Sequence, residues 1–222
     1  MIYVTGSIRG RLDKYKKLLE KINLRERDDL YVLGDIISDS KDSFRVLEDM
    51  SMRSNVFSVL GDNEYVAHKI MTEIADGSGR LVKDKFNATD KSFVRFINEF
   101  VGMDDDGRAW VMEYMSEMSL YEELETRGRK YILVHSGIGN FDVRKSLSEY
   151  SIKELALSDT DYKKCYYQDK ILITAHTPTY KIDKSYSGQI YRSETHIGLN
   201  CAYDDGGYLG AICLDTGEEY YV

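Results

Sequence analysis

Three short apolar, β-rich runs punctuate the first sixty residues: 2–4, 30–33 and 56–60. Between them the apolar positions switch to a helical period. Leu12, Tyr15, Leu18, Leu19 and Ile22 fall on one helical face, and Phe44, Leu47 and Met50 repeat the pattern. Strands separated by helical crossovers of this length predict parallel pairing and an α/β fold. From about 72 to 129 the chain turns charge-rich, with helical stretches around 92–101 and 109–125 and a Gly77-Ser78-Gly79 break. This segment reads as a helical insertion, or cap, within a single domain spanning 1–222. Strands resume at 131–134 and 171–174, each followed by a histidine. The last third predicts four more, at 189–192, 196–200, 208–214 and 218–222, separated by Asp205-Gly206-Gly207 and Asp215-Thr216-Gly217 turns. An antiparallel second sheet or a mixed sandwich is expected.

Composition narrows the function classes. A chain of 222 residues buries about 70% or more of its unfolded surface, so it needs no disulfide or zinc to make a core. The three cysteines, Cys165, Cys201 and Cys213, are odd in number and lack Cys-x-x-Cys spacing, which argues for a reduced, cytoplasmic setting. No apolar run is long enough to span a membrane, so no membrane partner is expected. A formal charge of -8 disfavours the broad basic face that nucleic acids require, so no nucleic-acid partner is expected. Asp104-Asp105-Asp106 lacks the spacing of a calcium loop and reads as a helix-connecting turn. Histidine is scarce, with only His68, His135, His176 and His196, and Pro178 is the one proline.

The chemistry lies just past the strands, where α/β proteins bind ligands. Five strands end in polar segments: Gly6-Ser7-Ile8-Arg9-Gly10, Gly34-Asp35-Ile36-Ile37-Ser38-Asp39, Gly61-Asp62-Asn63-Glu64, His135-Ser136-Gly137 and Ala175-His176-Thr177-Pro178. Taken singly, such aspartates are helix caps and such histidines hydrogen-bonded core residues. Together, Asp35, Asp62, His135 and His176 offer two oxygen and two nitrogen donors, a set suited to a divalent metal. His68 and His196 read as structural.

The order and spacing of these segments resemble the calcineurin-like metallophosphoesterases, in particular the bacterial branch related to serine/threonine phosphoprotein phosphatases and diadenosine tetraphosphatases. The resemblance runs from Met1 to Val222 and implies a four-layer αββα sandwich with mixed central sheets and a helical insertion. The family's blocks read Gly-Asp-x-His-Gly, Gly-Asp-x-x-Asp-Arg, Gly-Asn-His-Glu, Val-His-x-Gly and Gly-His-Thr-Pro. Against them, the first-metal aspartate and histidine are Ser7 and Arg9. The Asp-Arg pair is Ser38-Asp39, the asparagine ligand is Asp62, and the catalytic histidine is Asn63, while Asp35, Glu64, His135 and His176 match. The resemblance therefore implies one divalent metal (Mn, Fe, Zn or Mg) on Asp35, Asp62, His135 and His176, and no second one. Arg9 and Asn63 become the catalytic and phosphate-binding candidates, with Arg9 standing in electrostatically for the lost cation. The expected activity is phosphate binding with weak or no hydrolysis, as in a pseudophosphatase. The alternative is an active single-metal phosphoesterase acting on a phosphoprotein or on a nucleotide such as a diadenosine polyphosphate. The implied partner is a phosphorylated protein or a small phosphoester.

Overall fold

The computed structural model describes residues 1–76, 93–202 and 206–222. Its centre is a pair of five-stranded sheets packed face to face. In the first, β1 (Ile2–Gly6) runs parallel to β2 (Asp29–Leu33), and β2 parallel to β3 (Val56–Val59). Helices α1 (Leu12–Ile22) and α2 (Ser43–Ser51) make the predicted crossovers and bury the apolar faces read from the sequence. The other edge of β1 is taken by β9 (Gly210–Cys213), antiparallel, which pairs in turn with β10 (Glu219–Tyr221).

The second sheet has the order β4 (Glu122–Thr126), β5 (Arg129–Leu133), β6 (Lys170–Pro178), β8 (His196–Asn200) and β7 (Tyr191–Arg192). Its central strands are parallel and both edge strands antiparallel. The sandwich is thus mixed, and the four C-terminal strands divide between the two sheets. The inter-sheet layer contains Val4, Leu33 and Val59 from one side and Leu133, Ile173, Ala175, Ile197 and Leu199 from the other. Outside the second sheet, Leu147, Tyr150, Leu155 and Tyr166 cover Ile132 and Leu172 from short helices and loops.

The segment leading into β4 corrects one expectation. Helix α3 (Asp62–Ala75) is followed by α4 (Val94–Gly102) and α5 (Asp105–Ser116), but residues 122–126 leave the helix and form an edge strand. Glutamates suit a helix by propensity, yet they equally suit an exposed sheet edge, where charge blunts unwanted strand pairing. Gly77-Ser78-Gly79, the start of the 92–101 stretch and Asp205 of the predicted turn lie outside the described residues. The acidic triplet is a helix start: Asp104 accepts the Gly107 N–H at 2.9 Å and Asp105 and Asp106 occupy the first turn, where the helix dipole favours them.

The described part of the 72–129 region shares the main core. Phe96, fully buried, stacks on Phe44 of α2 with ring centroids 4.1 Å apart, and Phe100, Val111 and Met115 join the same cluster. Removing that ring should cost the whole domain about 3–5 kcal/mol. Phe96→Ala is therefore expected to shift one urea transition to lower midpoint, read by circular dichroism and tryptophan fluorescence together. Separate transitions for the two probes would show an insertion that folds by itself.

Candidate metal centre

The β1–β2 ladder continues past the ends of its strands. The N–H groups of Ser7, Arg9 and Gly10 donate to the carbonyls of Gly34, Asp35 and Ile36 at 3.1, 2.7 and 2.6 Å. Holding the two loops in contact forces Ser7, Arg9 and Asp35 into the left-handed region, at φ 48°, 51° and 50°. Non-glycine residues enter that region at a cost, so the surrounding hydrogen bonds must impose it.

Glu64, in the first turn of α3, supplies that constraint. It is fully buried, and its two carboxylate oxygens accept from the backbone N–H groups of Gly61, Asp35, Ile36 and Ile37 at 3.1, 2.9, 2.8 and 2.9 Å. Burial pushes its pKa up to about 7, with Asp35 adding to the rise, whereas the N–H donors favour the acceptor-only carboxylate. One side chain thereby binds the loop after β2 to the loop after β3, and so sets Asp35 beside Asp62.

His135 is oriented from behind. Its Nδ1 donates to the Leu33 carbonyl at 2.8 Å, which turns Nε2 toward Asp62 Oδ1 at 2.9 Å. A side chain at Gly34, which has φ +66°, would collide with that ring. His176 follows from β6, its Nδ1 3.2 Å from His135 Nε2 and 3.6 Å from Asp62 Oδ1. Asp35 Oδ1 lies 3.7 Å from His135 Nε2. The four predicted ligands are thus brought together, with one donor atom from each lying within 4.8 Å of all the others.

This cluster fits a divalent cation. Ligands about 2.0–2.1 Å from a tetrahedral ion stand about 3.3–3.4 Å apart, and the separations here bracket that value. Asp35 Oδ1 is buried with no hydrogen-bond partner among the described residues, a costly state for a carboxylate oxygen unless a cation meets it. Without one, burial raises the Asp35 pKa. For Asp62, burial acts the same way, but hydrogen bonds from His135 and His176 outweigh it and hold the carboxyl well below the usual range. Burial opposes a charge on His135, yet Asp35 and Asp62 prevail and raise it to about 9.

The altered positions are also in place. Arg9 Nη2 lies 3.1 Å from Asp35 Oδ2, on the side of that carboxylate away from the cluster, with the arginine side chain one-third exposed (33%). The Ser7 hydroxyl is buried and donates to the Ala175 carbonyl at 2.9 Å. The Asn63 amide donates to the Ile37 carbonyl at 3.1 Å. Ser38 Oγ donates to the Arg9 carbonyl and Ser40 Oγ to the Gly10 carbonyl, each at 2.7 Å, while Asp39 accepts the Arg95 N–H at the start of α4. Sequence reasoning singled out none of these serines for that clasp. Three serines in six residues, Ser38, Ser40 and Ser43, directly after buried Ile36-Ile37, are the signal that could have found it. His196 lies away from the cluster, buried between Tyr162 and Tyr166, and His68 is half-buried on α3.

The profile of the calcineurin-like phosphoesterases matches residues 2–207. A search of the curated proteins returns no match. Among solved structures, a candidate diadenosine tetraphosphatase superposes with a TM-score of 0.65 at 16% identity, covering 100% of this chain and 92% of the other. A protein serine/threonine phosphatase from Saccharomyces cerevisiae gives 0.66 at 12% identity, with 100% and 79% covered. A cold-active protein-tyrosine phosphatase from a psychrophilic Shewanella gives 0.57 at 10%, with 99% and 79% covered. At these identities the structural likenesses establish the fold.

Replacing Glu64 tests how far the centre depends on its clasp. In Glu64→Gln the amide nitrogen would confront N–H donors instead of accepting them, so stability should fall by at least about 2 kcal/mol. Thermal denaturation checks this, and a loss below about 0.5 kcal/mol would show that the two loops hold themselves.

Proposed function

Because the chain belongs to the calcineurin-like phosphoesterase family, we propose that it is a divergent metallophosphoesterase that binds a phosphoester at a one-metal centre and hydrolyses it weakly or not at all. Asp35, Asp62, His135 and His176 would hold the cation, and their two imidazole nitrogens suit Mn, Fe or Zn better than Mg. A divalent ion bound there supplies Lewis-acid polarisation of a phosphoryl oxygen. The remaining roles fall to the chain's own side chains.

The ion pair between Arg9 and Asp35 carries this reading. A permanent positive charge against the Asp35 carboxylate supports reading Arg9 as the stand-in for the family's first cation. A guanidinium can grip two phosphoryl oxygens at once, but it cannot lower the pKa of a water molecule as a metal does. Asn63 likewise can donate a hydrogen bond and cannot carry a proton near neutral pH, a change that usually costs ~10²–10⁴ in rate where an acid–base group is needed. Binding is retained on this account while water activation is lost.

The family, and the phosphatase and tetraphosphatase folds it shares, support a phosphorylated protein or a small phosphoester as the ligand class. The complete four-donor set favours a second reading, an active single-metal enzyme on the same substrates. Among the described residues no helix is long and apolar enough to cross a membrane.

Metal content and turnover separate the readings. Plasma mass spectrometry of protein equilibrated with manganese should give one metal per chain, rising to two in Ser7→Asp/Arg9→His/Asn63→His. That variant should hydrolyse an aryl phosphate ~10²-fold or more faster than wild type. Two metals on the wild-type chain would defeat the replacement by Arg9, and equal rates would favour the active enzyme.

A further inference from the structure

The far end of the sandwich holds a second concentration of charge. Alternate residues of β5 face the inter-sheet layer, and the row Leu133, Tyr131, Arg129 ends in an arginine at the amino-terminal mouth. On the neighbouring edge Arg192 of β7 is the cross-strand partner of Ile197, which faces the same layer. Arg127 joins them from the β4–β5 turn, where Arg127 and Gly128 both have positive φ, 52° and 72°. The three guanidinium-bearing residues line one cavity of about 400 Å³, closed on the other side by Ile212 and the Asp215–Gly217 turn.

The charges here do not cancel. Asp215 already accepts the Ile2 N–H at 2.6 Å and the Thr126 hydroxyl at 2.8 Å, with Arg127 Nε at 3.9 Å. Glu219 accepts the Tyr221 hydroxyl and lies 3.5 Å from Arg192 Nη1, which also donates to the Gly217 carbonyl at 3.1 Å. Arg129 makes no ion pair or side-chain hydrogen bond among the described residues. Three cations thus face two carboxylates already engaged by other donors, leaving a local positive excess in a chain of net charge -8. An unpaired guanidinium at the mouth of a cavity is a ready site for a phosphoryl group, whose oxygens match its forked N–H donors.

We propose that this cavity is a second anion site that binds a chain of phosphoryl groups, either inorganic di- or triphosphate or the phosphate tail of a nucleotide, on Arg127, Arg129 and Arg192. Its volume lies within the range of small-molecule sites, roughly 300–1,000 Å³, so it exceeds what one phosphate would fill and suits two or three linked groups spanning several arginines. The site is separate from the metal centre. Arg129 begins the strand that delivers His135, and six residues of extended chain set the two about 20 Å apart. A bound polyanion would tie the β4–β5 turn to β7 and to the Asp215 turn, joining both sheets at their open end.

Calorimetric titration of the full chain with inorganic triphosphate, in EDTA so that no metal contributes, tests the assignment. The titration is made in an Arg9→Gln background, which removes the phosphoryl-binding guanidinium of the metal centre, and the chain should still bind one equivalent. Arg129→Gln and Arg192→Gln should each weaken binding about tenfold or more, and Arg129→Lys should lose less than Arg129→Gln. Since the Arg129 side chain makes no ion pair or side-chain hydrogen bond among the described residues, Arg129→Gln should keep the wild-type melting temperature without ligand. ATP binding as tightly as triphosphate supports recognition of the phosphate chain from either source. Unchanged affinity in Arg129→Gln, loss of binding in Arg9→Gln, or binding of ATP but not of triphosphate would overturn the proposal.

Discussion

A buried carboxylate with four backbone N–H donors on it is the constraint from which the centre is built. Glu64 collects Gly61, Asp35, Ile36 and Ile37, residues from two loops that would otherwise meet with their amides facing each other and no acceptor between them. Desolvated N–H groups are costly when unpaired, so the loops are held in the one arrangement in which all four share those oxygens. Asp35 and Asp62 then stand side by side because their backbones have no other place to go. The Leu33 carbonyl does the same for His135. Three of the four candidate ligands, Asp35, Asp62 and His135, are thus placed by groups outside the cluster.

Charge organises the rest of the site. Asp35 has two oxygens in different circumstances: Oδ2 meets Arg9, whereas Oδ1 is buried and faces His135 and Asp62. The left-handed backbone at Ser7 and Arg9 is more comfortable for aspartate and histidine than for serine and arginine. The loop therefore retains a conformation suited to metal-binding residues while carrying others. The carbonyls of Arg9 and Gly10 are held by Ser38 and Ser40, so local hydrogen bonding maintains the loop at a place where a second cation could otherwise do so.

Much of this was legible in the chain. Strand runs, the helical faces of α1 and α2, and the convergence of Asp35, Asp62, His135 and His176 follow from periodicity and from polar residues placed directly after apolar strands. Other features depend on partners that a local pattern cannot specify. Alternation marks 196–200 and 210–213 as strands but says nothing about which sheet each joins, and they join different ones. Residues 122–126 carry helix-favouring glutamates and become a strand only because β5 lies beside them. The Ser38–Ser40 clasp and the Leu33 carbonyl likewise act through contacts that exist only once the loops have met.

The pairing of β1 with β9 has a bearing on how the protein is made. Ile2 donates its N–H to Asp215, 213 positions later, and β1 lies in the middle of its sheet with β9 on one side. While the chain is being synthesised, β1, β2 and β3 can pair with their helices, but one flank of β1 exposes backbone donors and acceptors until β9 emerges. Such an edge invites pairing with other chains, and closing so long a loop slows folding. Completion of the first sheet therefore waits on the β9–β10 hairpin, far along the chain from β1.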